Sequence, residues 1–269
     1  MFTYPDIDPI IFEIGFLKIR WYGMMYVIAF LLGWWLARVR CKRADSPINA
    51  QQVDDLVFYA MLGVIVGGRL GYVFFYGMSE FLADPLYPVK IWEGGMSFHG
   101  GLLGVITAMW WFARKLGHSV WTMTDYVAPL VPLGLGFGRV GNFINGELWG
   151  KPTDVPWGFE VNGQVLHASQ LYEAILEGPV LFAILWLFSA KPRPRMAVSG
   201  LFLIGYGVFR FIVEFYRVPD ADLGYLFLGW VTMGQVLSTP MILFGILMLV
   251  LAYRRDAGAA ATKESKSHA

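Results

Sequence analysis

Charge is what this chain has least of: 15% of its 269 residues are Asp, Glu, Lys or Arg, while 57% are hydrophobic. A soluble domain carries about 25% charged residues, so there is too little polar surface here to coat a water-soluble globule. Thiols are almost absent as well. The single cysteine, Cys41, excludes an intrachain disulfide framework and any zinc site built on several thiolates. It sits in the basic run Arg38-Val39-Arg40-Cys41-Lys42-Arg43, whose cations would favour a thiolate, but the simpler reading is an inert loop residue. The formal net charge of +1 gives no pull toward nucleic acid. No His-Glu-x-x-His or similar ligand spacing and no P-loop occurs, and no Gly-x-Gly-x-x-Gly follows a strand and opens the helix of a βαβ unit, as a dinucleotide fingerprint requires. Neither a metal nor a nucleotide cofactor is therefore expected. The first nine residues lack a basic segment and place Asp and Pro before the apolar stretch. That argues against a cleaved signal peptide and for an interfacial segment leading into a first span.

What is present is a series of long apolar runs. A membrane-crossing helix needs about 20 mostly apolar residues, and seven stretches qualify or nearly so: 19–38, 56–78, 96–114, 121–143, 171–190, 197–216 and 231–253. The runs are continuous and do not alternate, which favours helices over a barrel. Small-xxx-small spacing at Gly63/Gly67/Gly71, Gly100/Gly104 and Gly134/Gly138 points to close helix packing. The expected fold is an all-α integral membrane protein of about seven transmembrane helices. No internal repeat is visible. Residues 1–255 are expected to form one polytopic domain with a small external cap at 146–170, and 256–269 a disordered cytoplasmic tail.

Orientation follows from the cations in the connections. Those after the first, third, fifth and seventh runs (Arg38 to Arg43, Arg114 and Lys115, Lys191 to Arg195, Arg254 to Lys266) number 13, against five on the other side (Lys18, Arg20, Lys90, Lys151, Arg217). This puts the N-terminus outside, in the periplasm, and the C-terminus in the cytoplasm. The other three cations, Arg69, Arg139 and Arg210, interrupt the second, fourth and sixth runs. Each costs about 2.5–3.5 kcal/mol at mid-membrane, so with Glu214 the group costs about 10 kcal/mol unless each finds partners. The bland reading of Arg210 and Glu214 is an i,i+4 ion pair that only locks packing. Depth argues for more. Given this orientation, the three arginines lie in the outer half of the membrane, with His99, Tyr22, His167, Gln170 and Tyr172 also on the outer side. Asn142, Asn145 and Glu147 lie just outside Arg139, and Tyr206, Arg210 and Glu214 share one helix face. Arginine offers a planar fork suited to phosphate and stays charged when desolvated, and an anionic phospholipid headgroup is the ligand found at that depth. His99 taken alone is as readily a satisfied structural histidine; beside phosphate-binding arginines it becomes a candidate acid or base.

The run Gly138-Arg139-Val140-Gly141-Asn142-Phe143-Ile144-Asn145-Gly146-Glu147 closely resembles the signature of bacterial prolipoprotein diacylglyceryl transferases. The resemblance extends over nearly the whole chain through Arg20-Trp21-Tyr22-Gly23, Gly67-Gly68-Arg69-Leu70-Gly71-Tyr72, Gly94 to Gly101, and Gly205 to Arg210 with Glu214. One departure stands out: the family pattern His-Pro-Ser-Gln-Leu-Tyr-Glu reads His167-Ala168-Ser169-Gln170-Leu171-Tyr172-Glu173 here, which bears on the entry into the fifth helix. The resemblance implies transfer of the diacylglyceryl group of phosphatidylglycerol to the thiol of a prolipoprotein signal-peptide cysteine, with release of glycerol phosphate. It implies a multi-pass protein of the bacterial inner membrane acting at the outer leaflet. The partners expected are phosphatidylglycerol, cysteine-bearing signal peptides and the bilayer, with no cofactor and no nucleic acid.

On this reading Arg139 and Arg210 bind the phosphate and stabilise charge on the leaving group, and His99 assists deprotonation of the thiol. Asn142 and Asn145 complete the headgroup site, with Tyr22 and Tyr206 as its walls. Glu147 either orients an arginine or acts as base, Arg69 is a third lipid contact or a packing residue, and Glu214 holds Arg210. Three rivals compete. A lipid transporter or flippase would put polar sites at the midplane, yet the cytoplasmic halves of the runs are almost wholly apolar. An intramembrane serine protease built on Ser97 and His99 meets the difficulty that residues two apart on a helix diverge. A structural scaffold leaves three buried arginines at one depth unexplained.

Overall fold

The computed structural model describes residues 1–5, 7–15, 17–219 and 224–267. The chain is mostly helical. Two short strands, β1 (Phe2–Thr3) and β2 (Ile10–Ile14), precede β3 (Leu17–Arg20), which pairs antiparallel with β2. The helices follow: α1 (Trp21–Arg40), α2 (Ala50–Tyr76), α3 (Met78–Ala83), α4 (Phe98–Lys115), α5 (Val120–Val127) and α6 (Val131–Ile144). A hairpin of β4 (Phe159–Val161) and β5 (Gln164–Leu166) leads to α7 (Ser169–Ile175), α8 (Leu181–Phe188), α9 (Ala197–Val213) and α10 (Met233–Ser267). The tail expected over 256–269 falls almost wholly on residues whose side chains lie outside those described.

Each of the seven apolar stretches contains helix. The fourth is α5 and α6 joined by a 3₁₀ turn at Ala128–Leu130, and the fifth is α7 and α8 joined by a π turn at Leu176–Val180. Five helical segments are long and apolar enough to cross a membrane: Trp21–Arg40, Ala50–Tyr76, Val120–Ile144, Ser169–Phe188 and Met233–Ala257. The third stretch is not among them, because His99, its glycines and its terminal Arg114 and Lys115 dilute the apolar content of α4. The sixth, Ala197–Val213, is apolar but shorter.

The chain divides into two compact units, one of residues 37–126 and one of residues 1–36 with 127–269. In the first, α2 and α4 pack backbone to backbone along the expected glycines. A Cβ added at Gly63 would stand 2.6 Å from the Gly104 carbonyl oxygen, and one at Gly71 would stand 2.7 Å from Gly100 Cα. Such distances are impossible for a real side chain, so these glycines set the approach of the two helices. In the second unit the expectation for Gly134 and Gly138 fails. A Cβ at Gly138 would meet nothing within 4 Å among the described residues, and one at Gly134 only Ala29 Cβ at 3.6 Å. The close contact belongs to Gly136, where a Cβ would come 3.0 Å from Gly178 Cα in the π turn. A small core of Ala128, Leu181, Leu185 and Val198, covered by Phe202, Tyr206 and Phe209, ties α8 to α9.

The cap at 146–170 is ordered by β-pairing. β4 pairs with β5 on one side and in parallel with β1 on the other. Tyr4 lies in an aromatic cluster with Phe143 and Trp149, and its hydroxyl donates to the carbonyls of Phe143 and Ile144 at 2.8 and 3.1 Å. Those carbonyls end α6, so Tyr4 satisfies acceptors that a helix terminus leaves without intrahelical donors. Trp149 is therefore a packing residue, whereas Trp157 is exposed.

Candidate active site

The expensive groups of the second unit converge on one buried cluster. α7 presents Glu173, and the π turn presents Glu177 one turn later; both side chains are 0% exposed. Pro179 lacks an N–H and its ring crowds the carbonyl four residues back, while Gly178 departs from helical geometry at φ −89°, ψ −109°. Together they open the helix into the π turn that carries Glu177. α9 presents Tyr206 and Arg210 on one face, with Glu214 at its C-cap and Arg217 just beyond. α6 presents Arg139.

Glu173 is the hub. It forms ion pairs with Arg139 Nε at 3.0 Å, with Arg217 Nη1 at 3.3 Å and with Arg210 through a short contact. Glu214 holds Arg210 at 2.5 Å and Arg217 at 3.1 Å, and it accepts a hydrogen bond from the Thr232 hydroxyl at 2.6 Å. Gly234 leaves room for this carboxylate, since a Cβ there would lie 2.5 Å from Glu214 Oε1. Glu177 approaches Arg139 Nε at 3.7 Å. Both carboxylates thus come within ion-pair distance of Arg139 at its Nε. Arg139 is also the most exposed of the three arginines, its side chain 23% accessible. Tyr206 lies close to Arg139.

The other expected residues of this unit gather at the end of α6. Asn142 and Asn145 both donate through Nδ2 to Glu147 Oε1, at 2.8 and 3.2 Å. The Tyr22 hydroxyl lies 3.3 Å from that of Tyr26, and its ring backs onto Gly141, where a Cβ would meet it at 2.8 Å. In the cap, His167 Nδ1 lies 2.9 Å from the Tyr172 hydroxyl, which accepts from Trp157 Nε1 at 3.0 Å. Burial pushes His167 below the ordinary histidine value, which suits a neutral ring accepting from Tyr172.

The remaining two expected site residues, Arg69 and His99, belong to the unit of residues 37–126. Arg69 is 2% exposed, and its guanidinium is spent on backbone. Nε donates to Pro88 O at 3.2 Å, Nη2 to Tyr87 O and Lys90 O at 2.7 and 3.0 Å, and Nη1 to Gly95 O at 3.3 Å and to Gly94 O. Five carbonyl contacts account for a guanidinium's five donors, so Arg69 anchors the 87–95 loop rather than presenting itself to a lipid. His99 is exposed near the start of α4. Ser97 is the N-cap of that helix, its hydroxyl accepting from Gly100 N at 3.2 Å, an occupation unlike that of a nucleophile.

The chain matches the model of the family described as prolipoprotein diacylglyceryl transferase over residues 9–251. It belongs to that family. It is 58% identical to the phosphatidylglycerol--prolipoprotein diacylglyceryl transferase of Pseudomonas aeruginosa over 260 residues, covering 96% of this chain and 98% of the relative. It is 60% identical to the protein of the same name from Vibrio cholerae over 255 residues, 94% of each chain. The protein of that name from Ectopseudomonas mendocina is 57% identical over 260 residues, 95% of this chain and 98% of its own.

Reasoning from sequence missed Glu173, Glu177 and Arg217 as members of the cluster. The signal lay in the charge balance: Arg139 and Arg210 in apolar runs need carboxylates, and Glu214 alone does not supply them. The family departure at Ala168 has little geometric consequence. Ala168 takes φ −79°, within the range a proline ring imposes, so the chain enters α7 as a proline would direct it. Ala168→Pro is expected to stabilise the protein by about 0.4–1 kcal/mol through the unfolded state, read as a small rise in the thermal midpoint in detergent with unchanged turnover.

Proposed function

We propose that this protein transfers the diacylglyceryl group of phosphatidylglycerol to the thiol of the signal-peptide cysteine of prolipoproteins. The reaction takes place at the outer leaflet of the bacterial inner membrane and releases glycerol phosphate. In this reading all seven helical stretches cross the bilayer, with α4 and α9 as the shorter crossings, the N-terminus periplasmic and the C-terminus cytoplasmic. Residues 1–255 make up one polytopic transmembrane domain with 146–170 as its external cap. The observation that carries the reading is the buried cluster around Glu173, which holds Arg139, the most exposed of its three arginines, within ion-pair distance of two carboxylates.

The thiolate sulfur attacks the terminal glycerol carbon of the diacylglyceryl group. A carbon–sulfur bond forms as the carbon–oxygen bond to phosphate breaks, and the bonding pair leaves with the glycerol phosphate. Negative charge therefore grows on the phosphate in the transition state, where preorganised arginine donors stabilise it most. Arg139 and Arg210 take that role, with Glu214 and Glu173 as positioning residues. Asn142 and Asn145, oriented by Glu147, meet the headgroup, and Tyr22 and Tyr206 wall it. His99 takes the thiol proton, since only the thiolate is a good nucleophile. Arg69 is assigned to the 87–95 loop.

The deciding assay presents purified protein with phosphatidylglycerol and a synthetic signal peptide carrying one cysteine, and reads the diacylglyceryl thioether by mass spectrometry. Product supports the reading. Transbilayer movement of labelled lipid without product would support a flippase instead. His99→Gln is expected to slow thioether formation about 10²–10⁴-fold, the usual worth of general acid–base assistance, with the Michaelis constant for lipid nearly unchanged. Near-normal turnover would end the role of His99 while leaving the headgroup site intact.

A further inference from the structure

Among the described residues the buried cluster is charge-balanced: Arg139, Arg210 and Arg217 face Glu173, Glu177 and Glu214. A phosphodiester adds one negative charge to a neutral and largely desolvated group, where an uncompensated charge is costly. Either an arginine gives up a carboxylate or one carboxylate becomes neutral. The three acids are not equivalent in this respect. Glu173 meets all three arginines, and Glu214 meets two and the Thr232 hydroxyl. Glu177 has one ion pair, at 3.7 Å, and neither of its oxygens accepts a hydrogen bond among the described residues.

The surroundings of Glu177 offer it little else. From α6 it meets Arg139, and from α7 the negative Glu173. From α9 and the residues after it come Tyr206, Arg210, Glu214 and Arg217, and α8 carries no titratable side chain. We propose that the cluster takes up the phosphodiester together with one proton, and that Glu177 is the carboxylate that carries it. This rests on the reading that the arginines hold the headgroup phosphate. Binding then converts a balanced cluster plus an anion into a cluster that is balanced again. The proton is released when the headgroup phosphate leaves.

The test uses the deacylated headgroup glycerophosphoglycerol, a diester that keeps a single charge near neutral pH, as a competitive inhibitor of the full-length protein in detergent. Uptake of one proton makes the inhibition constant of the wild type rise by about tenfold per pH unit above neutrality. Glu177→Gln is expected to abolish that slope and to bind more tightly than the wild type at high pH. Infrared difference spectra on binding should show a protonated carboxyl band that shifts in Glu177→Asp and stays in place in Glu214→Asp. A wild-type inhibition constant independent of pH, or a band unmoved in Glu177→Asp, would overturn the proposal; neither needs Glu177→Gln to fold. Undiminished inhibition of Arg139→Ala would instead take the phosphate away from the arginines, and the proposal would fall with that reading.

Discussion

Arg139→Ala is expected to lower thioether formation by about 10²–10³-fold, the usual cost of removing one preorganised donor from a developing oxyanion. The reason lies in how the side chain is held. Its Nε lies 3.0 Å from Glu173 and 3.7 Å from Glu177, both buried carboxylates. A fork fixed in this way pays little entropy when it meets a phosphate, and its charge persists in a desolvated site. Arg139→Lys should recover little of the loss, because an ammonium on a flexible stem reproduces neither the fork nor the bond to Glu173. The check is the rate of diacylglyceryl-peptide formation at saturating lipid, with thermal unfolding measured alongside. Alanine and wild-type proteins of equal rate would leave the enzyme assignment standing and remove Arg139 from the transition state.

Glu173→Gln is expected to be the most destabilising single change in the cluster, at about 3–5 kcal/mol, because it leaves buried cations uncompensated. Glutamine keeps the shape and loses the charge, so the three arginines would face two carboxylates. Glu214→Gln should cost less, since Glu214 meets two arginines rather than three, and Glu177→Gln least, since its single partner is 3.7 Å away. The apparent unfolding midpoints in detergent should follow that order. A Glu173→Gln protein as stable as the wild type would show that Glu173 is not the hub its contacts describe.

Hydropathy made the helical stretches legible, and the α2–α4 glycine seam as well, because apolar length and small-residue spacing are local properties. The number of crossings was less legible. Helix α4 mixes His99, glycines and terminal cations into its run, and α9 is short. The close contact of α6 falls on Gly136 rather than on Gly134 or Gly138 for a related reason: spacing identifies a small-residue face, but the partner, Gly178, sits in a π turn that spacing does not reveal. Arg139, Arg210 and Glu214 stood out by their cost in an apolar run. Glu173 and Glu177 did not, because acids at the start of a span look like an ordinary solvated helix end. Arg217 passed as a loop cation. Arg69 showed its cost but not its purpose, since backbone carbonyls from a distant loop leave no mark in sequence.

The π turn at Leu176–Val180 has a consequence for the spelling of the chain. It accommodates one residue more than an α turn would, and Gly178 is the residue that leaves helical geometry there. If the chain were one residue shorter at this point, the helix could close as a regular α-helix. The segments on either side of the splice would keep their register, because groups bonded i to i+5 across the turn would then be bonded i to i+4. Glu173, before the turn, and the core residues of α8, after it, would hold their relative places. The extra residue is thus absorbed within the turn, and what it governs is the placement of Glu177.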